Sequence, residues 1–210
     1  MTPLTSTLLA DGSSDRVLIP FIQALLQEHC DLPIAETAMA SAIVPVRAGL
    51  RTRIQRAVEL FPCKVLFVHR DAERVDTVVR QEEIHEAVRE LRNPPHFICV
   101  IPVRMTEAWL LTQEMPIRRA VGNPQGSMRL DIPRIREIED IAQPKEELFK
   151  LLRSAKDVGR RRLRSFSPEQ HRHKVGEFTE DLAPLRGLPS FAHLEDQIKA
   201  FFQPRIFGRR

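Results

Sequence analysis

The chain has 210 residues, 42% of them hydrophobic and 29% charged, with a formal charge of +4 at neutral pH. This balance excludes wholesale disorder and collagen-like or low-complexity structure. Its longest apolar runs, such as 65–68 and 97–101, are far too short to cross a bilayer, and the N-terminus lacks a basic start followed by an apolar stretch, so a soluble cytoplasmic protein without a membrane partner is expected.

The elements follow a regular order. Residues 4–10 read as a strand, and Val17, Ile19, Phe21, Ile22, Leu25 and Leu26 have the spacing of an amphipathic helix running toward His29. Residues 42–46 read as a second short strand, after which Leu50, Ile54, Val58 and Phe61 mark a helical stripe that Pro62 ends. Residues 64–68 are a third strand, followed by a helix with Ile84, Val88 and Leu91 on its apolar face, closed by Pro94-Pro95. Residues 96–101 are a fourth strand, leading through Pro102 into a helical stretch around Trp109. Beyond about Met115 the pattern changes to proline-punctuated helices, with a turn at 122–126, a helix at 144–155 and a last helix at 190–202. Alternating short apolar strands and helices predict a mostly parallel four-stranded sheet covered on both faces. The expected organisation is an α/β core over 1–113 and a helical, arginine-rich region over 114–210 packed on it.

Acidic residues recur where the predicted strands end. Asp11-Gly12-Ser13-Ser14-Asp15 follows the first strand and His69-Arg70-Asp71-Ala72-Glu73 follows the third. In an open parallel sheet such loops share one edge, where ligands bind, and carboxylates gathered there need a cation, a proton or a donor to offset their repulsion. Glu107 joins them if the segment after the fourth strand starts at that edge. Plainer roles compete at each position. Asp11 with Gly12 and Ser13 can be a turn and helix cap, Asp71 and Glu73 can be helix-start acids, and Glu107 can pair with Arg104 one turn earlier.

The basic residues are clustered. Arg160, Arg161, Arg162 and Arg164 precede His171, Arg172, His173 and Lys174; Arg47, Arg51, Arg53 and Arg56 form a second group, and Arg205, Arg209 and Arg210 lie at the end. Such clusters neutralise phosphates, although solvated arginine faces and acidic partners give the same pattern. The cysteines Cys30, Cys63 and Cys99 contain no Cys-x-x-Cys pair and the seven histidines no HExxH spacing, so zinc and dithiol motifs are absent. Cys99, inside an apolar run, reads as a small core residue, and Trp109 as a packing residue.

The order of these motifs resembles the Toprim fold. The segment 8–15 is similar to its entry of an acid, a glycine and a second acid after strand one, and 65–73 is similar to its later Asp-x-Asp motif. The segment 101–111 resembles the "Pro-Val-x-x-x-Glu-Ala-Trp-Leu-Leu" stretch of small bacterial Toprim-like proteins related to the nuclease part of the OLD (overcoming lysogenization defect) family. The chain has Asp11 where Toprim enzymes have glutamate and Glu73 where they have aspartate, each a change of about one methylene, on the order of 1.5 Å of reach. The resemblance implies a Rossmann-like core and a nuclease that cleaves phosphodiester bonds of DNA or RNA with Mg2+ or Mn2+. It implies Asp11, Asp71 and Glu107 as catalytic residues, metal ligands drawn from Asp11, Asp15, Asp71, Glu73 and Glu107, and phosphate contacts from Arg70 and Arg104, with His69 a further neighbour; the basic cluster adds Arg160, Arg161, Arg162, Arg164 and Lys174 as candidate nucleic-acid contacts. A separate ABC-type ATPase and an antiphage role are implied partners and context, since the chain has no P-loop of its own; a homo-oligomer is also compatible. The alternatives are a non-catalytic Toprim-like module that docks an ATPase or nucleic acid, and a phosphotransfer or small-nucleotide hydrolase.

Overall fold

Four parallel strands carry the molecule. In the computed structural model, which describes residues 2–203, β1 (Ser6–Leu9), β2 (Ala38–Ala40), β3 (Val65–His69) and β4 (His96–Val100) form one sheet in the order β2-β1-β3-β4. All three pairings are parallel. β1 connects through a 3-10 segment, Ser13–Leu18, and helix α1 (Ile19–His29); β2 through α2 (Leu50–Leu60); and β3 through α3 (Thr77–Arg89). This is the predicted Rossmann-like α/β core.

The central strands are buried along their whole length, which is why they read as continuous apolar runs rather than as alternating ones. Their side chains still divide by parity. Leu8, Val65 and Phe67 enter one cluster with Phe21, Leu25 and Trp109, whereas Leu9, Leu66 and Val68 enter a second with Ile54, Ala57, Ile84 and Val88. Helices α2 and α3 thus cover one face, while α1 and the C-terminal helices cover the other.

The second strand is displaced from its expected place. It occupies Ala38–Ala40, not 42–46, because Ala42 adopts a left-handed φ of 54° that ends extended pairing. Ile43, whose hydrophobicity suggested a strand, packs from the following loop against the second cluster instead. The stretch around Trp109 is the tighter 3-10 helix Thr106–Leu111, with all six residues buried. Trp109 meets Phe21 and Phe191 edge-on, at centroid distances of 6.1 and 5.2 Å, and its indole N–H donates to Ser190 Oγ at 2.8 Å.

The C-terminal region comprises α4 (Glu114–Ala120), α5 (Ile135–Ile138), α6 (Pro144–Lys156), α7 (Arg160–Leu163), α8 (Glu169–Glu177) and α9 (Pro189–Phe202). Its apolar residues Ile117, Leu148, Leu152, Val175 and Phe191 belong to the same cluster as Leu8 and Phe67, so it shares the core of the sheet. At the β4 edge, the Gln197 carboxamide of α9 accepts from Cys99 N and donates to Cys99 O, each at 3.0 Å. At the other end of α1, Glu195 binds His29 at 2.8 Å, Lys199 at 3.2 Å and Arg186, which also pairs with Glu28. No helix among the described residues is long and apolar enough to cross a membrane.

Candidate functional site

The chain leaves β1 toward β2 on one side, while β3 and β4 extend the sheet on the other, so the exits of β1 and β3 diverge at a topological switch point. Crevices in open α/β sheets form at such points. Both acidic loops lie here at the carboxyl edge. The loops after β3 and β4 continue the parallel pairing past the sheet, with Arg70 N donating to Val100 O, Ala72 N to Pro102 O and Glu73 N to Arg104 O, all at 3.1 Å.

His69 is the centre of the acidic group. It ends β3 and is 3% exposed, with Nδ1 at 3.5 Å from Asp15 Oδ2, an ion-pair distance, and Nε2 at 3.2 Å from Asp71 Oδ1. Thr106 Oγ1 lies 3.3 Å from both His69 Nε2 and Asp71 Oδ1, which brings in the start of the 3-10 helix after β4. Burial by itself would push the histidine pKa down. The two flanking aspartates outweigh it and hold it up at about 9, so the ring is an imidazolium at neutral pH. Burial likewise opposes ionisation of Asp15, but His69, the Gly12 amide and the Ser14 hydroxyl together hold its pKa below the usual carboxylate value.

The plainer roles of these acids are only partly realised. Asp15 does serve the first loop, its carboxylate accepting from Gly12 N at 3.1 Å, but Asp11 does not cap. Asp71 and Glu73 are not the helix-start acids of α3, because Asp76 fills that position and accepts from Val78 N at 2.9 Å.

Asp11 is held by two arginines. Its Oδ1 accepts from Arg53 Nη1 at 2.5 Å and its Oδ2 from Arg70 Nη1 at 3.0 Å. Arg53 is 4% exposed, and its Nη2 also donates to Ala10 O at 2.8 Å, which fixes the guanidinium under the end of β1. Arg70 continues to Glu83 at 3.1 Å, and Arg80 joins Glu83 at 2.9 Å and the Asp71 carbonyl at 3.2 Å. Glu107 is buried and pairs with Arg172 of α8, not with Arg104. A Cβ on Gly176 would come within 2.9 Å of the Val17 carbonyl, so this glycine lets α8 approach the loop that bears Asp15.

The edge therefore carries Asp11, Asp15, Asp71 and Arg70, whereas Glu107, next to Thr106 in the 3-10 helix, turns to Arg172 and makes no contact with these acids among the described residues. Glu73 is set apart. Its side chain is 70% exposed, its φ is 54°, and its nearest cation is Arg80 at 3.9 Å. Arg104 is also left-handed, at φ 64°. Arg161, Arg162, Arg164 and Lys174 are exposed and have no ion-pair partner among the described residues. The side chain of Arg160, and Arg205, Arg209 and Arg210, lie outside the described residues.

Two neighbours, Arg53 and Arg172, stood out in the sequence only as members of basic clusters and not as partners of these acids. Arg53 had a signal, since it falls on the buried stripe of α2 beside Ile54 and Ala57, where an arginine needs a partner. Arg172 had none that set it apart from the basic residues around it.

The donor set suits a hard cation, because Mg2+ and Mn2+ prefer carboxylate oxygens. In this structure the charge of each buried carboxylate is already met by a protein cation. Among the described residues, the acidic and histidine side chains that bring three ligand atoms within 4.8 Å of one another are Glu28, His29 and Glu195. That cluster is satisfied by Arg186 and Lys199, and ties α1 to α9 far from the crevice. The thiol of Cys99, pushed up to about 12 by burial, is no nucleophile.

Comparison of the chain with protein-family models, with curated proteins and with solved structures finds no match in any of the three.

Proposed function

We propose that the carboxyl edge of this sheet is the site of a divalent-metal-dependent nuclease that cleaves phosphodiester bonds in DNA or RNA, in keeping with the resemblance to Toprim proteins. The observation that carries this reading is the convergence of Asp15 and Asp71 on one buried imidazolium at the switch point, with Thr106 and Asp11 alongside. Carboxylates from separate loops collected in one crevice are the oxygen set that phosphoryl chemistry uses to hold a cation.

Asp15 and Asp71, with Glu107 on the resemblance alone, would hold Mg2+ or Mn2+, which would polarise the scissile phosphate and offset its developing charge. The protein's own contribution is positioning. His69 fixes the mutual orientation of Asp15 and Asp71, Thr106 fixes Asp71 from the other side, and Arg172 holds Glu107 in place. The exposed Arg161, Arg162, Arg164 and Lys174 supply a basic surface for a polyanion, with binding that weakens as salt rises. A separate ABC-type ATPase is the proposed partner, on the resemblance alone.

The test is incubation of the purified protein with single- and double-stranded DNA and RNA in Mg2+ or Mn2+, comparing wild type with Asp71→Asn and Glu107→Gln. Metal-dependent cleavage abolished by both substitutions is expected. Cleavage that survives both would remove this site from the reaction.

A further inference from the structure

We propose that α6, α7 and α8 form a docking surface, joined to the crevice through α8, that grips the phosphate backbone of double-stranded nucleic acid without reading its bases and supplies most of the affinity for it. This deepens the nuclease reading and rests on it. The basic charge of the chain is concentrated in this segment. Residues 145–174 hold ten lysines and arginines against four acids, so with a formal charge of +4 overall the rest of the chain is net negative. A positive field on one face draws in a polyanion that the acidic edge alone would repel.

The fold gathers the segment into one surface. His171 Nδ1 lies 2.8 Å from the Ala120 carbonyl and Lys156 Nζ donates to the Val121 carbonyl at 3.0 Å, so the start of α8 and the end of α6 meet on the last turn of α4, with α7 between them in the chain. Lys145 and Arg153 of α6 face Glu169 of α8, whose carboxyl is held below its usual range by its own backbone N–H and the Ser167 hydroxyl first and by these two cations after. Arg153, Arg161, Arg162, Arg164 and Lys174 are exposed. On its inner side α8 sets Arg172 on Glu107 and Gly176 against the Val17 carbonyl, so one helix joins the basic surface to the segments that carry Glu107 and Asp15.

The composition of the surface selects its partner. Protein interfaces are built around apolar and aromatic anchors, and every exposed large apolar side chain among the described residues lies at or before Met128, outside this segment. Single strands are held by bases stacked on aromatic faces. Of the two phenylalanines in the segment, Phe149 is buried, and Phe166 is half-buried, with its ring stacked on His171 at 4.7 Å and Lys156 Nζ 5.9 Å from its centroid. Guanidinium groups without apolar anchors or free aromatic faces beside them are left with phosphate oxygens, which they bind bidentately. A duplex carries one charge per about 1.7 Å of its axis, about twice the density of one strand, and binds such a surface most strongly.

The experiment measures binding without metal. Fluorescein-labelled DNA and RNA oligonucleotides of equal length, single- and double-stranded, are titrated by anisotropy in EDTA over a salt series. The proteins are wild type, Asp71→Asn, the triple variant Arg161→Gln/Arg162→Gln/Arg164→Gln and its charge-keeping counterpart Arg161→Lys/Arg162→Lys/Arg164→Lys, each checked by circular dichroism. Wild type is expected to bind a duplex about tenfold more tightly than either of its strands, and two duplexes of unrelated sequence within about twofold of each other. The glutamine triple should raise the duplex Kd about tenfold or more and lessen the salt slope by about two to three, with the lysine triple close to wild type. Asp71→Asn should hold the duplex within about twofold of wild type. Strands bound as tightly as the duplex, a Kd unchanged in the glutamine triple, or duplex binding lost in Asp71→Asn each overturn the proposal. So does competition by poly-glutamate that matches unlabelled duplex charge for charge, which would assign the surface to an acidic protein. Metal-dependent cleavage by wild type alongside any of these results leaves the nuclease reading standing, whereas duplex binding with no cleavage in Mg2+ or Mn2+ removes that reading and leaves the docking surface alone.

Discussion

Replacing Arg172 with methionine removes the guanidinium from Glu107 while keeping an apolar stem of similar length in α8. The Glu107 side chain is 5% exposed and that of Arg172 16%, so the carboxylate left behind has little access to water. Removing one partner of a buried pair costs about 3–5 kcal/mol, and the partial exposure of Arg172 places this one near the lower figure. For a chain of this length each kcal/mol lowers Tm by about 2–4 °C, so a fall of roughly 6–12 °C is expected in thermal melts followed by circular dichroism. The double variant Arg172→Met/Glu107→Leu removes both charges and should recover part of the loss, giving a coupling of about 2 kcal/mol in urea titrations. A cost below about 1 kcal/mol for Arg172→Met, or single effects that add to within about 0.5 kcal/mol, would refute the claim that this pair fastens α8 to the site.

Three further outcomes follow from the same contacts. Gly176→Ala places a methyl within 2.9 Å of the Val17 backbone and should destabilise the fold by about 1–3 kcal/mol in urea, more than Gly159→Ala, whose Cβ would meet nothing within 4 Å. His69 has a pKa raised from 6.5 to about 9, so its contribution to stability is complete below pH 6.5 and is lost as pH rises through about 9; melts in EDTA should show that alkaline loss in wild type and not in His69→Gln. Glu195 is the opposite case. Burial opposes its ionisation, but Arg186, His29 and Lys199 bring its pKa from 4.5 to about 2, so its contribution is present above pH 4.5 and lost as pH falls toward 2, and Glu195→Gln should flatten that acid limb.

The parts of the fold that could be read from the chain are those where local and tertiary preferences agree. Val65–His69 and His96–Val100 are apolar runs with turn signals on both sides, and they are strands. Ala38–Ala40 was not legible because nothing in Ala-Met-Ala favours a strand; its pairing with Thr7, Leu8 and Leu9 creates it. The shared edge of Asp11, Asp15 and Asp71 followed from the parallel topology, which requires successive strand ends to meet. Their partners did not follow. Arg53, Arg70 and Arg172 reach their carboxylates across 42, 59 and 65 positions, and no local spacing encodes such distances.

The Gln197 carboxamide on Cys99 has a bearing on how copies of this chain can meet. β4 is an outer strand, and its penultimate residue, Cys99, has both peptide groups answered by one side chain, as a neighbouring strand would answer them. A second copy cannot dock there by strand addition without first expelling that amide. The opposite margin offers only the three residues of β2, too short a template for stable cross-chain pairing. Both margins of the sheet thus resist strand addition by another chain, one through the Gln197 amide and the other through the shortness of β2.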